Sequence, residues 1–228
     1  MQFSDLQTLA RLYTAGAKKT VINDVQLKLI INQGAIDVAT LSKCMPKTKT
    51  FDVTGSQRDY SLPTIASDYV AMDKSGVWLY NGSQWKEIEK KTKKYLDERY
   101  TNWRSMGESF PIFYYMKGDT LSFYKTPDET RASGGELNYF RKGQTMTDDS
   151  DTPFHVDGDK TTEITSLLTL SDSILDYVRW KLSEPLSKGT EEIISRQKEY
   201  YSALRGRMNA INEEIDLNSS RKNKRRVK

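Results

Sequence analysis

Few residues in this sequence have side chains suited to catalysis. His155 is the only histidine and Cys44 the only cysteine. His155 lies in "DTPFHVDGD", a predicted loop, and the spacing indicates no nucleophile or carboxylate partner for it, so we interpret it as an ordinary loop histidine. Cys44 directly precedes Met45-Pro46 and is interpreted as an inert, buried or half-buried thiol. Since one cysteine and one histidine cannot form an ordinary zinc site, we predict no catalytic residue and no zinc.

The aspartates near His155 are the other candidates for chemistry. Five of them occur in "DDSDTPFHVDGDKTTE": Asp148, Asp149, Asp151, Asp157 and Asp159. This segment lacks the alternating oxygen ligands, the glycine and the closing glutamate of a calcium loop, so we predict a solvated acidic turn. Phosphate-loop and dinucleotide-binding motifs are also missing from the sequence, and we therefore predict no metal and no cofactor.

Aromatic residues on predicted strands allow two interpretations. They lie near basic side chains, an arrangement that can stack nucleic-acid bases. They could equally fill the core of a β-domain, because neighbours on a strand face opposite sides and cannot share one surface. The core interpretation is favoured, and nucleic-acid binding remains the alternative. The aromatic residues are Tyr114, Tyr115, Phe123, Tyr124, Tyr139 and Phe140, with Lys117, Lys125, Arg141 and Lys142 nearby.

Positive charge is concentrated at the C-terminus. Without the six basic residues of "RKNKRRVK", the net charge of the chain falls from +4 to −2. Residues 219–228 contain one apolar residue, Val227, so we predict that this tail is disordered in the free monomer. The basic residues are Arg221, Lys222, Lys224, Arg225, Arg226 and Lys228.

Length and composition are those of a globular protein. A chain of 228 residues with 36 % hydrophobic residues can form one domain or two small ones. The N-terminus lacks the pattern of a signal peptide, and the apolar runs are far too short to span a membrane. We therefore expect an intracellular, soluble protein that does not contact membranes.

Helical periodicity occurs at both ends of the chain. Residues 4–13 and about 20–42 are predicted to form the N-terminal helices, and Ile22, Val25, Leu29, Ile36 and Ala39 recur at helical spacing in the second. A helix before Pro185 and a long final helix follow near the C-terminus. The apolar seam of the final helix is predicted to pack within the chain; it comprises Ile194, Gln197, Tyr201, Leu204, Met208, Ile211 and Ile215.

Between these ends the pattern changes to that of short strands. At least six strand-like segments with Gly- and Asp-containing turns predict a small antiparallel sheet or barrel. The segment "WKEIEKKTKKYLDERYTNW" is interpreted in part as a helix or irregular excursion. The predicted fold is α+β: a helical bundle built from the N- and C-terminal helices, with an inserted antiparallel β-rich domain and a basic tail. The domains are 1–45 with 165–217, then 46–164, and the tail 218–228.

Several segments, taken in order, resemble the head-to-tail adaptor (connector) proteins of tailed double-stranded DNA phages. They are "SDYVAMDKSGVWLYNG", "PIFYYMKGDTLSFYKTPD", "GELNYFRKG", "DDSDTPF", "LLTLSDSILDYVRWKLSE" and "EYYSALRGRM". In that family a hairpin ending in Pro-Asp, a further strand, an acidic loop ending in proline and two closing helices follow in this order. The resemblance covers roughly residues 1–217.

The resemblance implies a structural virion protein without enzymatic activity. Members of this family assemble beneath the portal, commonly as a twelve-membered ring. They join the capsid to the tail and line the DNA exit path. Expected partners are the portal, tail or neck proteins, other copies of the chain and, by non-specific proximity, packaged DNA. The basic tail is the expected portal-docking segment. The expected location is the neck of the virion, and the host cytoplasm during assembly.

Overall fold

The chain folds as two compact units in a computed structural model that describes residues 1–13, 22–105, 107–183 and 189–226. The side chains of residues 105, 165, 166, 168 and 212–226 lie outside this description. The helical unit comprises Met1–Met45 and Gly143–Lys228, and the sheet unit comprises Pro46–Lys142. Residues 143–164, including a small two-stranded sheet, thus belong to the helical unit.

The helices are α1 (Phe3–Tyr13), α2 (Asp24–Ser42), α3 (Leu62–Ile65), α4 (Lys93–Arg99), α5 (Ser171–Ser183) and α6 (Thr190–Arg226). The strands are β1 (Pro46–Val53), β2 (Asp59–Ser61), β3 (Tyr69–Tyr80), β4 (Trp85–Lys90), β5 (Phe113–Lys117), β6 (Thr120–Tyr124), β7 (Arg131–Arg141), β8 (His155–Val156) and β9 (Asp159–Glu163). Short 3₁₀ helices span Trp103–Ser105 and Thr165–Leu170.

Helix α2 is bounded by specific capping interactions. The side chains and backbone amides of Asn23 and Gln26 form a reciprocal capping box at its start. At its end Lys43 adopts a left-handed conformation with φ of 50°, and its amide donates to the carbonyl of Ala39. The helix therefore begins at Asp24, later than the sequence predicted; residues 20 and 21 lie outside the described part of the chain.

Helix α5 lies at the centre of the helical unit and packs against α1, α2 and α6. Its core side chains include Ile174 and Val178, both fully buried. Helices α2 and α5 approach closely at Gly34, where an added Cβ would lie 2.9 Å from Cδ1 of Tyr177. Gly34 thus permits a helix crossing that a larger residue would obstruct.

The sheet unit contains a seven-stranded sheet with the order β1-β7-β3-β4-β5-β6-β2. Neighbouring strands are antiparallel except β4 and β5, which pair in parallel. The two edge strands approach each other, since the rings of Phe51 on β1 and Tyr60 on β2 are 5.7 Å apart. The amide of Thr54 also donates to the Tyr60 hydroxyl at 3.0 Å. The sheet is consequently curled around a core of its own.

Both faces of the β5–β6 hairpin are covered. Tyr114 and Phe123 belong to the core enclosed by the curled sheet. Tyr115 and Tyr124 belong to a second cluster, on the opposite face, with Leu96 of α4 and Trp103 of the 3₁₀ helix. The alternation of side chains along each strand therefore supplies aromatic residues to two cores at once.

The predicted fold class is wrong in its description of the β-rich region. The protein is α+β overall, but it is a mixed fold with a large, curled seven-stranded sheet, not a helical bundle carrying a small antiparallel insert. Residues 85–90, interpreted as part of an excursion, form β4. Only Ile88 of β4 is buried, so the strand has too little apolar alternation to be recognised from sequence.

Apolar residues at helical spacing in α2 do not all face the core, and the side of α6 that was predicted to pack within the chain is partly exposed. Val25 and Leu29 of α2 are exposed, while Leu27, Ile31 and Val38 form its buried side. In α6, Ile194 and Tyr201 are likewise exposed and Leu204 is buried. Periodicity detected apolar residues at helical spacing in both helices, but apolar spacing alone cannot distinguish a side that packs within the chain from one that faces outward.

The packing of Gly135 against Phe51 provides a test of the curled sheet. These residues are cross-strand partners on β7 and β1. A Cβ at position 135 would lie 2.4 Å from Cζ of the Phe51 ring. We expect Gly135→Ala to lower the free energy of unfolding by about 1–3 kcal/mol, measured by chemical denaturation, because the ring must leave its packed position.

Gly107→Ala is the matched control, since an added Cβ there meets no atom within 4 Å. Its effect should stay within about 0.5 kcal/mol. Combining Gly135→Ala with Phe51→Leu should restore part of the lost stability, because the smaller side chain frees space. A Gly135→Ala protein as stable as the wild type would contradict the observed packing.

Candidate interaction surface

Helix α6 is the element that positions the predicted docking segment. Tyr200 and Leu204 are buried in the core of the helical unit, and Met208 and Ile211 pack partly against it. The core contacts of α6 thus extend over several turns before the basic residues begin. This packing fixes the direction in which the helix leaves the unit.

A hydrogen bond joins α6 to α2 inside this core. The hydroxyl of Tyr200 donates to Oδ2 of Asp37 at 2.6 Å. Burial, and then the Asp37 carboxylate, raise the pKa of the Tyr200 hydroxyl above its ordinary value, so the group stays protonated and continues to donate. Because a charged acceptor strengthens a hydrogen bond, this contact constrains the position of α6 along α2.

A second polar contact joins α6 to α5. Nη1 of Arg207 donates to Oδ2 of Asp176 at 2.8 Å and to Oγ of Ser173 at 2.7 Å. Ser173 is fully buried and the two charged side chains are partly buried, so solvent screens the ion pair less than an exposed one. Sequence analysis missed these residues because positions 176 and 207 are distant in sequence and belong to no local motif.

The basic tail continues α6. The helix extends to Arg226, whereas the sequence predicted disorder from residue 219. Extending an existing helix avoids the cost of nucleation, which the compositional argument did not include. The backbone at Arg221, Lys222, Lys224, Arg225 and Arg226 is therefore helical, their side chains lie outside the description, and Lys228 lies outside the described residues altogether.

The sheet aromatics do not form an exposed stacking platform. Tyr114, Tyr115, Phe123, Tyr124 and Tyr139 are all buried, and Phe140 is half-buried. Base stacking needs an accessible ring face. The five buried residues instead belong to the cores of the sheet unit.

The acidic loop is structural and not simply solvated. Asp151 is buried, and Oδ2 of Asp151 accepts from the amides of Thr147 at 2.7 Å and Asp148 at 3.1 Å. The loop also supports the start of α1, because the Phe3 amide donates to the Asp151 carbonyl at 2.8 Å. It therefore satisfies a helix N-terminus that would otherwise have unpaired donors.

His155 is likewise part of the packing. It begins β8 and is buried, contrary to its predicted place in a loop. Nδ1 lies 3.1 Å from the carbonyl oxygen of Thr152, and Nε2 lies 3.1 Å from Oε1 of Gln144. The His155 imidazole thus connects β8 to the segment that contains Gln144 and Thr152, which is a structural role.

Other candidates for chemistry are also accounted for. Cys44 is half-buried and packs against the helical core. Among the described residues, no cluster of three or more histidine, cysteine or acidic side chains could hold a metal ion. Within the same residues, none of the helices combines the length and apolar character required to cross a membrane.

The described residues thus form a well-packed scaffold whose long terminal helix ends in a basic segment. The sequence profile of the SU10 adaptor protein family matches residues 1–226, and the chain belongs to that family. This membership indicates a structural role in a phage virion. No curated protein matches the chain.

Removing the Tyr200 hydroxyl tests the bond between α2 and α6. We expect Tyr200→Phe to lower the free energy of unfolding by about 1.5–3 kcal/mol, because the Asp37 carboxylate loses a buried donor. The neighbouring Tyr201→Phe is the control, since that side chain is exposed. Equal losses in the two variants, measured by chemical denaturation, would show that the bond adds nothing specific.

Protonation of Asp151 should weaken the acidic loop. Burial raises the pKa of Asp151, but the amides of Thr147 and Asp148, the Lys160 ammonium and the Thr147 hydroxyl together outweigh it, and the net pKa is lowered. The stabilisation is therefore complete above the ordinary aspartate pKa of about 3.9 and is lost as the pH falls through the lower folded value.

We expect Asp151→Asn to lower the Tm at pH 7, and the difference from the wild type to shrink as the pH falls below about 4. Asp148→Asn is the control in the same loop, because its carboxylate accepts only a long contact of 3.5 Å from Thr147 Oγ1. A difference in Tm that stays constant with pH would contradict a role for the charged form of Asp151.

Proposed function

We propose that this protein is a head-to-tail adaptor that forms a ring beneath the portal, joins the capsid to the tail and lines the DNA exit path. The observation that carries the proposal is the continuation of α6 as a basic helix beyond its apolar seam. Residues 218–226 contain no apolar residue, so this part of the helix has no apolar side chain to bury against the protein's own core. Family membership supports the same role.

The chemistry of the tail fits an acidic partner. Its six basic residues supply donors for charge-assisted hydrogen bonds to carboxylates of the portal, and to DNA phosphates where the channel is close. A helical backbone also reduces the ordering cost of docking, which would be about 1–2 kcal/mol for each residue fixed from a disordered state. Docking of a preformed helix thus needs fewer compensating contacts than docking of a disordered tail.

The reach of the tail is sufficient for a contact with another protein. From Ile211, the last residue that packs against the core among the described side chains, α6 continues for fifteen residues to Arg226. At about 1.5 Å per residue this distance is roughly 22 Å. The helix can therefore carry its basic end well beyond the surface of the unit that anchors it.

The remaining parts of the proposal follow from the proposed position beneath the portal. The ring contains identical copies, commonly twelve, and its other partners are tail or neck proteins. Packaged DNA passes nearby without specific recognition. The role is structural and needs no enzymatic activity, metal or cofactor. The site of action is the neck, reached after assembly in the host cytoplasm.

Replacing the six basic tail residues by glutamine provides the sharpest test. Glutamine keeps good helix propensity and removes the charge. We expect the variant to fold with an unchanged Tm but to lose at least tenfold in the amount that copurifies with the portal after coexpression. Binding of the wild type should also weaken as salt is raised.

Two controls separate docking from folding. Deletion of residues 219–228 should give the same loss of binding with the helical unit intact. Glutamine replacement of the basic residues Lys93 and Lys94 on α4, outside the tail, should leave portal binding unchanged. Incorporation of the six-glutamine variant into virions at wild-type levels would refute docking through the basic tail.

A further inference from the structure

A row of aromatic and acidic side chains crosses the seven-stranded sheet on the face that points away from its core. Val77 of β3 and its cross-strand partners on β4 and β7 are core residues. Since neighbours along a strand face opposite sides, the adjacent residue of each strand lies on the outer face. Trp78 is paired there with Glu87 of β4 on one side and with Glu136 of β7 on the other.

A second row adjoins the first where β3 turns into β4. Tyr80 is paired with Trp85, and the centroids of their rings are 5.6 Å apart. Trp85 is 41 % exposed, and Trp78 and Tyr80 are half-buried. Among the described residues, the three hydrophobic clusters contain none of these rings. We call Trp78, Tyr80, Trp85, Glu87 and Glu136 the aromatic–acidic face.

The two carboxylates of this face are not neutralised. Neither Glu87 nor Glu136 forms an ion pair with another described residue. Nδ2 of Asn138 donates to Oε1 of Glu136 at 3.0 Å, and Oγ1 of Thr48 donates to Oδ1 of Asn138 at 2.6 Å. These hydrogen bonds orient the Glu136 side chain and leave its charge in place.

The basic residues of β4 do not balance this charge. Lys86 and Lys90 alternate with the acidic residues of the strand and therefore lie on the core-facing side. Nζ of Lys86 is accordingly 6.0 Å from the centroid of the Phe110 ring, which packs against the core. Lys91, just beyond the end of β4, pairs with Glu89.

The basic residues of the other strands also lie elsewhere. Lys47 and Lys49 of β1 are cross-strand partners of core residues on β7. Arg131 pairs with carboxylates of the loop before β7, and Arg141 is buried. Lys74 lies in the irregular part of β3 between the two segments that pair with β7. The aromatic–acidic face is therefore negatively charged as well as aromatic.

The aromatic side chains are held in position by the protein itself. Nε1 of Trp78 donates to the carbonyl of Ser75 at 2.8 Å, and the hydroxyl of Tyr80 donates to the carbonyl of Gly82 at 3.0 Å. Trp85 packs against the Tyr80 ring. A partner that binds here consequently has little side-chain freedom to remove, which favours binding.

This combination matches the chemistry of an arginine side chain. A guanidinium stacks on tryptophan and tyrosine rings, and its planar set of donors binds carboxylates. Neighbouring positions on one face of a sheet are about 5–8 Å apart, so one guanidinium can contact a ring and a carboxylate together. Nucleic-acid phosphates would be repelled by the two carboxylates, and so would the same face of a second copy.

We propose that the aromatic–acidic face binds an arginine-bearing segment of a partner protein. Trp85 provides the exposed ring, and Glu87 and Glu136 provide the charge. This surface belongs to the sheet unit, whereas the basic end of α6 belongs to the helical unit. The proposal therefore adds a second interaction surface and depends neither on docking of the tail nor on the ring.

Binding of defined peptides to the full-length chain tests this face. The probe is a short labelled peptide of alternating arginine and serine, and its control carries citrulline, an uncharged analogue, in place of each arginine. Fluorescence anisotropy at about 0.15 M salt gives the dissociation constants. The arginine peptide should bind, and the citrulline peptide should bind at least about tenfold more weakly, because it cannot form charge-assisted hydrogen bonds.

Variants of the face should weaken binding of the arginine peptide in proportion to what they remove. Glu87→Gln combined with Glu136→Gln keeps the side-chain shapes, removes both charges and should weaken binding by about tenfold or more. Trp85→Ala should weaken it by about two- to fivefold, the effect of one cation–π contact at an exposed site.

Glu98→Gln on α4 and Val156→Ala on β8 are matched controls, because they change exposed side chains outside the face. Both should bind the arginine peptide as the wild type does, and the Tm confirms that every variant folds.

Equal binding by the wild type and the face variants, or of the arginine and citrulline peptides, would overturn the proposal. A wild type without measurable affinity for the arginine peptide would do the same. Self-association of the wild type that is lost in the face variants, measured by native mass spectrometry, would overturn it by assigning the face to a second copy. None of these results bears on docking through the basic tail, which the six-glutamine variant tests separately.

Discussion

The hydrogen bond from Tyr200 to Asp37 is the contact on which the geometry of the helical unit depends most directly. It joins α6 to α2 in a partly buried place, and Arg207 makes the equivalent connection from α6 to α5. A helix held on two neighbours by directed polar contacts cannot slide or rotate freely. The orientation of the basic helix end, and of the exposed side of α6, is fixed by these contacts.

Close packing around glycines sets further constraints. Gly34 allows α2 to approach α5, and Gly143 lies where an added Cβ would be 3.0 Å from the Cα of Ile36. The chain thus re-enters the helical unit directly against α2. Reciprocal hydrogen bonds between Asn32 and the backbone of Met146 hold this segment in place. Small residues and backbone hydrogen bonds together determine where the two halves of the helical unit meet.

Sequence periodicity was sufficient for some elements and insufficient for others. It identified α1, the main part of α2, the two C-terminal helices and the β5–β6 hairpin, because their apolar residues recur with a regular period. It missed β4, which has one buried residue, and the parallel pairing of β4 with β5, which depends on contacts distant in sequence. The roles of Asp151 and His155 were also missed, since both depend on backbone groups that fold against them.

The same limit explains why Ile194 and Tyr201 of α6 were predicted to pack within the chain although they are exposed. A helix that packs on one side within its own chain and on another side against a neighbour has two apolar stripes, and sequence spacing merges them into one pattern. In α6 the buried stripe contains Tyr200 and Leu204, while the exposed stripe contains Ile194 and Tyr201. Adjacent tyrosines at 200 and 201 therefore have different environments: the Tyr200 hydroxyl donates to Asp37, and the Tyr201 side chain is 42 % exposed. Apolar spacing therefore shows that a helix has apolar sides, and only the packed structure shows which of them its own chain covers.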